Sequence, residues 1–292
     1  MRERIDPLIA ERAPWLYARR PWSAPSRAVL ERLLSYRRTL EIGAEVKDLP
    51  YDQVMDEMAR RLARDVSVSG LDNIPRTGPA MIVSNHPTGI ADGIMLWSQL
   101  SAIRPDLFFY ANSDILRVLP QADGMIAPVE WRLEKRSHGK TRETMAYTRR
   151  AVSEGRIGVM FPAGRLAKRR GLRLHERPWM ASAAMIARKF DLPVIPVNIR
   201  ARNSALFYLF DLIHPTLRDI TLFYETLNKD EQPYQLTVGE AIAPGALPAK
   251  SEEGIEILRR ATLALGGRHA PAVSLVDSTR RPSWVRSIYP SL

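Results

Sequence analysis

The 292-residue chain contains no cysteine. Disulfide staples, thiolate nucleophiles and cysteine-ligated zinc are therefore excluded. No uninterrupted apolar run approaches the ~20 residues that span a bilayer. The opening stretch, MRERIDPLIAERAPWLYARR, lacks the apolar core of a secretory signal. The expectation is a chain that stays in the cytoplasm, free or attached to a membrane face. Histidine is scarce. His138, His175, His214 and His269 stand apart, without metal-ligand spacing, so no metal site is expected. No G-x-S-x-G nucleophile elbow, internal repeat, helix-turn-helix, RNP-type or zinc-finger pattern is present.

What the chain does have is apolar content and positive charge. Apolar residues make up 45% of it, enough for a substantial core, and the length fits one large domain or one and a half. Lys and Arg exceed Asp and Glu by 43 to 32, a net charge of +11. Such a surplus suits an anionic partner: nucleic acid, an anionic membrane surface or an acidic carrier protein. Without a nucleic-acid motif, or aromatics interleaved with the basic run, nucleic acid is not an expected partner.

Periodicity predicts an amphipathic basic helix over 26–45, carrying Leu30, Leu33, Leu34 and Ile42 with Arg27, Arg32, Arg37 and Arg38. A second helix is predicted over 51–63. Strand-like runs at 65–70 and 80–85 flank a polar turn. Strand and helix then alternate: a helix after Asp92, a strand at 106–111, a helix over 141–153 and a strand at 156–161. A helix over 178–189 and a strand at 192–200 follow. After a very apolar stretch at 205–213 come a strand at 234–240 and a helix over 252–265. Apolar strands alternating with periodic helices predict an α/β fold whose sheet is mostly buried between helices. The expected organisation is an N-terminal helical, membrane-associating segment (1–64), a domain over 65–265, and an extended or mobile tail (266–292).

One stretch carries candidate chemistry. In IVSNHPTGIADGIML (82–96), His86 ends an apolar strand and Asp92 follows six positions later. The C-terminal edge of a strand in an α/β sheet is where ligands usually bind. On a regular helix the two residues would face different ways, so they meet only if Pro87-Thr88-Gly89 turns the chain. If they meet, Asp92 fixes the imidazole tautomer and leaves the other nitrogen as a base. The competing reading is a histidine that caps the next helix or satisfies a buried carbonyl. A base without a built-in nucleophile suggests that the substrate supplies the attacking hydroxyl or amine.

NHPTGIAD resembles the Asn-His…Asp signature of the glycerolipid acyltransferases, the lysophosphatidic acid acyltransferase family. Three further blocks occur in the family's order: ADGMIAPVE (122–130), VMFPAGR (159–165) and LPVIPVNI (192–199). The resemblance covers residues 65–245. It implies O-acylation: His86, oriented by Asp92, takes a proton from a lipid hydroxyl that attacks a thioester on acyl carrier protein or coenzyme A. No cofactor is implied beyond that acyl co-substrate. Oxyanion donors are expected near Gly164 or from Arg165. Substrate binding is expected from Asn85, Thr88 and Gly89 in the first block, from Phe161, Pro162, Gly164 and Arg165 in the third, and from Pro196 in the fourth.

The family pattern is also altered. Five residues separate His86 from Asp92 where most members have four, a spacing associated with a haemolysin-like branch that includes lyso-ornithine-lipid acyltransferases. Ala163 stands where Glu is usual and Arg165 where Thr is usual. The second block lacks its closing arginine, Arg132 being the nearest substitute. These positions hold the glycerol phosphate in the family, so their change favours an acylated amino acid, a lyso-aminolipid, as the acceptor. Lysophosphatidate stays open, because Arg165, Lys168, Arg169 and Arg170 suit a phosphate. The basic run 165–173 reads as a solvated loop or as a dock for an anionic donor or head group. The apolar stretch 204–223 reads as core, as a pocket wall or as a surface dipping into the bilayer. The 26–45 helix, with Trp15, Tyr17 and Trp22 nearby, is the expected interfacial element, placing the protein peripherally on the cytoplasmic face of the inner membrane. A non-catalytic lipid- or carrier-binding protein is the remaining alternative.

Overall fold

A computed structural model describes residues 1–130, 137–270, 272–276 and 278. The chain opens with four helices, α1 (Arg2–Arg12), α2 (Ser23–Leu33), α3 (Tyr36–Val46) and α4 (Tyr51–Leu62). Next come β1 (Val66–Ser69), β2 (Ala80–Ser84), α5 (Ile90–Leu100), β3 (Leu107–Asn112), α6 (Asp114–Val118) and β4 (Ile126–Val129). Helix α7 (His138–Ser153), β5 (Ile157–Met160), the hairpin β6 (Lys168–Arg170) and β7 (Arg173–His175), α8 (Ser182–Lys189) and β8 (Val194–Arg200) follow. The last elements are α9 (Ala205–Ile213), α10 (Pro215–Ile220), α11 (Leu222–Leu227), β9 (Tyr234–Val238), α12 (Ser251–Ala264) and β10 (Ala272–Ser274).

Seven strands form the central sheet in the order β1-β9-β8-β2-β5-β3-β4. Every pair is parallel except β8 with β9, so the sheet is mixed. Strand β2 is buried at all five positions because helices cover both faces. Its side chains alternate accordingly. Ile82 joins Met58, Met95 and Trp97 from α4 and α5 on one face, and Met81 and Val83 join Tyr147, Ala183 and Leu258 from α7, α8 and α12 on the other.

The N-terminal helices are part of this packing. Ile5 and Leu8 of α1 cluster with Tyr36 and Val118, while Ile42, Val46 and Val54 enter the main core. The helix expected over 26–45 is broken at Ser35, whose φ of 49° is left-handed. The break separates two jobs. Helix α3 turns Tyr36, Ile42 and Val46 inward, whereas α2 leaves Val29 and Leu33 exposed. Among the described residues no helix is long and apolar enough to cross a membrane.

One further stretch differs from its sequence reading. The basic run is not a loop: Lys168–Arg170 and Arg173–His175 pair as a hairpin. Part of the tail is extended as a strand, since β10 adds to β7 and inserts Val273 and Leu275 beside Leu174 and Phe207. Residues 271, 277 and 279–292 of the tail, and Arg132, lie outside the described residues.

Candidate active site

Strand β2 ends at the C-terminal edge of the sheet and delivers His86 there, the usual ligand position of an α/β sheet. The segment that follows turns sharply. Gly89 has φ 101°, a conformation closed to residues with a Cβ, and α5 starts at the next residue. Asp92 thus falls in the first turn of α5 and folds back over the loop. Its Oδ2 accepts from His86 Nδ1 at 2.9 Å, from the Thr88 N–H at 3.0 Å and from the Gly89 N–H at 3.1 Å. Its Oδ1 accepts from Thr88 Oγ1 at 2.5 Å.

Asp92 is fully buried, so these donors replace its water, and the positive end of α5 adds to them. The start of α5 is therefore closed by the Asp92 side chain, bonded back to the N–H of the N-cap Gly89, and not by His86. Thr88 gives its one hydroxyl hydrogen to Asp92, so Tyr234 must donate to Thr88 Oγ1 across 2.6 Å. Tyr234 is buried, and that burial, with the charge of Asp92 nearby, raises its hydroxyl well above the usual range. With Nδ1 committed to a carboxylate, the imidazole presents Nε2 on its other edge. The ring stacks on Phe161, centroids 4.2 Å apart, and lines a cavity of about 1110 Å³. That volume exceeds the ~300–1,000 Å³ of typical small-molecule pockets.

The expected site residues divide. Gly89, Phe161, Pro162, Gly164, Arg165, Lys168 and Arg169 line the cavity with His86. Asn85, Thr88, Arg170 and Pro196 do not. Asn85 is buried and clamps β2 to β8: its amide donates to the Ile199 carbonyl at 2.8 Å and accepts from the Ile199 N–H at 2.7 Å. Thr88 serves Asp92. Arg170 points from the exposed side of the hairpin, and Pro196 lies within β8, opposite Val83. The Gly164 N–H is already given to the Phe161 carbonyl at 2.9 Å, so it is not a spare oxyanion donor.

Two residues that the sequence reading passed over belong here, both in His-Glu-Arg-Pro-Trp just beyond the basic run. Glu176 accepts the His86 backbone N–H at 3.2 Å through Oε2 and the Trp179 indole N–H at 3.0 Å through Oε1. Burial pushes its carboxyl up to about 7, against the opposing pull of those two donors. Arg177 lines the cavity and donates through Nε to the Leu166 carbonyl at 2.9 Å. Burial, then repulsion from Arg218 and Arg165, holds it below the ordinary guanidinium range. Arg218, also on the wall, is braced by Asp211 at 2.9 Å and Asp219 at 2.7 Å. The cavity thus joins a tautomer-fixed imidazole to a cluster of guanidinium groups. No local pattern marks Glu176 or Arg177. The contact that brings Glu176 to the site is with His86, ninety positions away in sequence.

Residues 65–200 match the Acyltransferase family model. The chain is 26% identical over 183 residues to the lyso-glycine lipid O-acyltransferase of Phocaeicola vulgatus, a match covering 61% of this chain and 64% of that protein. It therefore spans just under two thirds of that relative. It is 23% identical over 204 residues to the lyso-glycine lipid O-acyltransferase of Bacteroides thetaiotaomicron, covering 70% and 72% respectively. Among solved structures, the 1-acyl-sn-glycerophosphate acyltransferase PlsC of Thermotoga maritima superposes with a TM-score of 0.48 at 14% identity, over 92% of this chain and 98% of that one. The stretch that holds His86, Asp92 and the Phe-Pro-Ala-Gly-Arg block is thus similar to the Acyltransferase family.

Proposed function

We propose that this protein transfers a fatty acyl group from a thioester, on acyl carrier protein or coenzyme A, to the hydroxyl of a membrane lysolipid, at the cytoplasmic face of the inner membrane. The observation that carries the proposal is His86, fixed by buried Asp92 at 2.9 Å and facing a large cavity, in a stretch similar to the Acyltransferase family. His86 Nε2 takes the proton of the acceptor hydroxyl as its oxygen attacks the thioester carbonyl. The imidazolium so formed is stabilised by the Asp92 carboxylate. The tetrahedral intermediate collapses, the carbon–sulfur bond breaks, and the proton passes from His86 to the departing thiolate. The ester and the free thiol leave. Cations on the same cavity wall, Arg165 among them, would offset the oxyanion.

The acceptor we favour is a lyso-aminolipid. The relatives from Phocaeicola and Bacteroides bear the name of lyso-glycine lipid acyltransferases, and the cavity cations Arg165 and Arg177 suit a carboxylate fork. The same cations suit a phosphate, so lysophosphatidate is the second reading. Competition between a lyso-aminolipid and lysophosphatidate, read by mass spectrometry as relative kcat/KM, separates the two. The expected result is preference for the lyso-aminolipid, with Arg165→Lys weakening catalysis ~10-fold because a point charge lacks the fork. Preference for lysophosphatidate would transfer the assignment to the second reading.

A further inference from the structure

Helix α9 is apolar on faces that have nothing in common. Phe207, Tyr208 and Phe210 are buried, and Phe207, Tyr208 and Asp211 form part of the cavity wall. Leu209, Leu212 and Ile213 are exposed to 52%, 69% and 62% of their surface. Their spacing of three and four residues puts them on one side of the helix, as a continuous apolar stripe. Such a stripe on a cavity-lining helix calls for a covering surface.

The β6–β7 hairpin supplies the complement. Its tip carries Leu172, exposed to 67%, between exposed Arg170 and Arg173, with exposed Lys168 on the same hairpin. Hairpin and helix are packed into one unit, since Leu174 of β7 shares a cluster with Phe207 and Tyr208. Exposed apolar side chains on α9 and at the hairpin tip, the latter between Arg170 and Arg173, match a lipid leaflet with anionic head groups, and the same two elements give wall residues to the cavity, Phe207 and Tyr208 from α9 and Lys168 and Arg169 from the hairpin.

We infer that α9 and the β6–β7 tip form the membrane-docking face, seating the cavity rim on an anionic leaflet so that a lipid acceptor enters sideways without crossing water. Use of the face for acceptor entry rests on the lysolipid reading; the docking itself does not. The N-terminal helices are a weaker seat. Only α2 exposes apolar groups there, Val29 and Leu33, with Trp22 just before it, and α2, unlike α9, contributes no residue to the cavity wall.

The test is sedimentation of the full-length protein with phosphatidylcholine vesicles, with and without phosphatidylglycerol. Wild type is compared with the triple variant Leu209→Ser, Leu212→Ser, Ile213→Ser and with the double variant Val29→Ser, Leu33→Ser. All five side chains are exposed, and circular dichroism checks that each variant folds. Wild type is expected to need phosphatidylglycerol and to release in salt, and the triple variant to bind about a hundredfold more weakly. The double variant should bind within about threefold of wild type. In parallel, the triple variant should acylate a short-chain, monomeric lysolipid at the wild-type rate while losing activity on vesicle-embedded acceptor. Wild-type sedimentation by the triple variant, or loss of binding confined to the double variant, would overturn the inference. A wild-type protein that acylates no lysolipid would sink the proposed function, yet sedimentation would still decide the docking face.

Discussion

At the scale of single residues, Asp92 is the organising group, because one carboxylate satisfies two loop N–H groups, a hydroxyl and the imidazole. The pair His86–Asp92 was legible from the sequence once Pro87-Thr88-Gly89 was read as a turn. The turn itself is explained by the positive φ of Gly89. Asn85 was misread for a physical reason: a polar residue beside a candidate base looks like a ligand, whereas a buried amide with both ends bound to Ile199 is a clamp. Glu176 supplies a pH test. Its folded-state value of about 7 lies above the ordinary carboxylate value of 4.5, so between the two the folded protein holds more proton than the unfolded chain. Stability from this group is therefore complete below the lower value and is lost as pH rises towards 7. The full shift corresponds to roughly 3 kcal/mol. Urea midpoints measured across this window should decline less steeply in Glu176→Gln, which cannot ionise. Equal slopes would assign the pH dependence to other groups.

At the scale of elements, most strands and helices of residues 65–265 were readable because the sheet is covered on both faces, which makes its strands short, apolar and clearly bounded, whereas edge strand β4, the short helix α6 and the β6–β7 hairpin were not expected. Helix α1 was not readable. It is rich in charge and contains Pro7, and its two buried residues, Ile5 and Leu8, are too few to set a period. The stretch 204–223 was ambiguous for the opposite reason, since apolar residues on every face of α9 erase the period that would separate core from surface. What fixes the start of α9 is distant. The Ser204 N–H and hydroxyl both donate to Glu225, at 2.9 and 2.5 Å. Glu225 is paired at 3.0 Å with Lys229, and both are fully buried. Burial lowers the Lys229 ammonium from its ordinary value, and Glu225 opposes the shift. Removing one partner from such a pair typically costs about 3–5 kcal/mol. Lys229→Ala is therefore expected to lose stability on that scale in urea unfolding, whereas an exposed lysine such as Lys250 should cost almost nothing when replaced. A loss under about 1 kcal/mol for Lys229→Ala would mean that the pair does not brace α9.

At the scale of the whole molecule, the net charge of +11 is not spread without purpose. Arg165, Lys168, Arg169, Arg177 and Arg218 all border the one cavity that His86 faces. Asp211 and Asp219, on the same wall, offset Arg218, so the remaining cations are the ones that would draw the anionic donor or head group of the proposed reaction. The N-terminal helices cannot be removed as a module, because Ile5, Leu8, Ile42 and Val46 are buried against the rest of the chain. Deleting them to test membrane attachment would expose core, so substitutions at exposed positions are the cleaner tool. The account as a whole depends on His86 acting as a base. Its most direct test is single-turnover transfer of a labelled acyl group from acyl carrier protein or coenzyme A to a lysolipid, comparing wild type with His86→Ala at matched thermal stability. The account predicts a fall of ~10²–10⁴-fold with donor binding retained, and transfer by His86→Ala at close to the wild-type rate would contradict it.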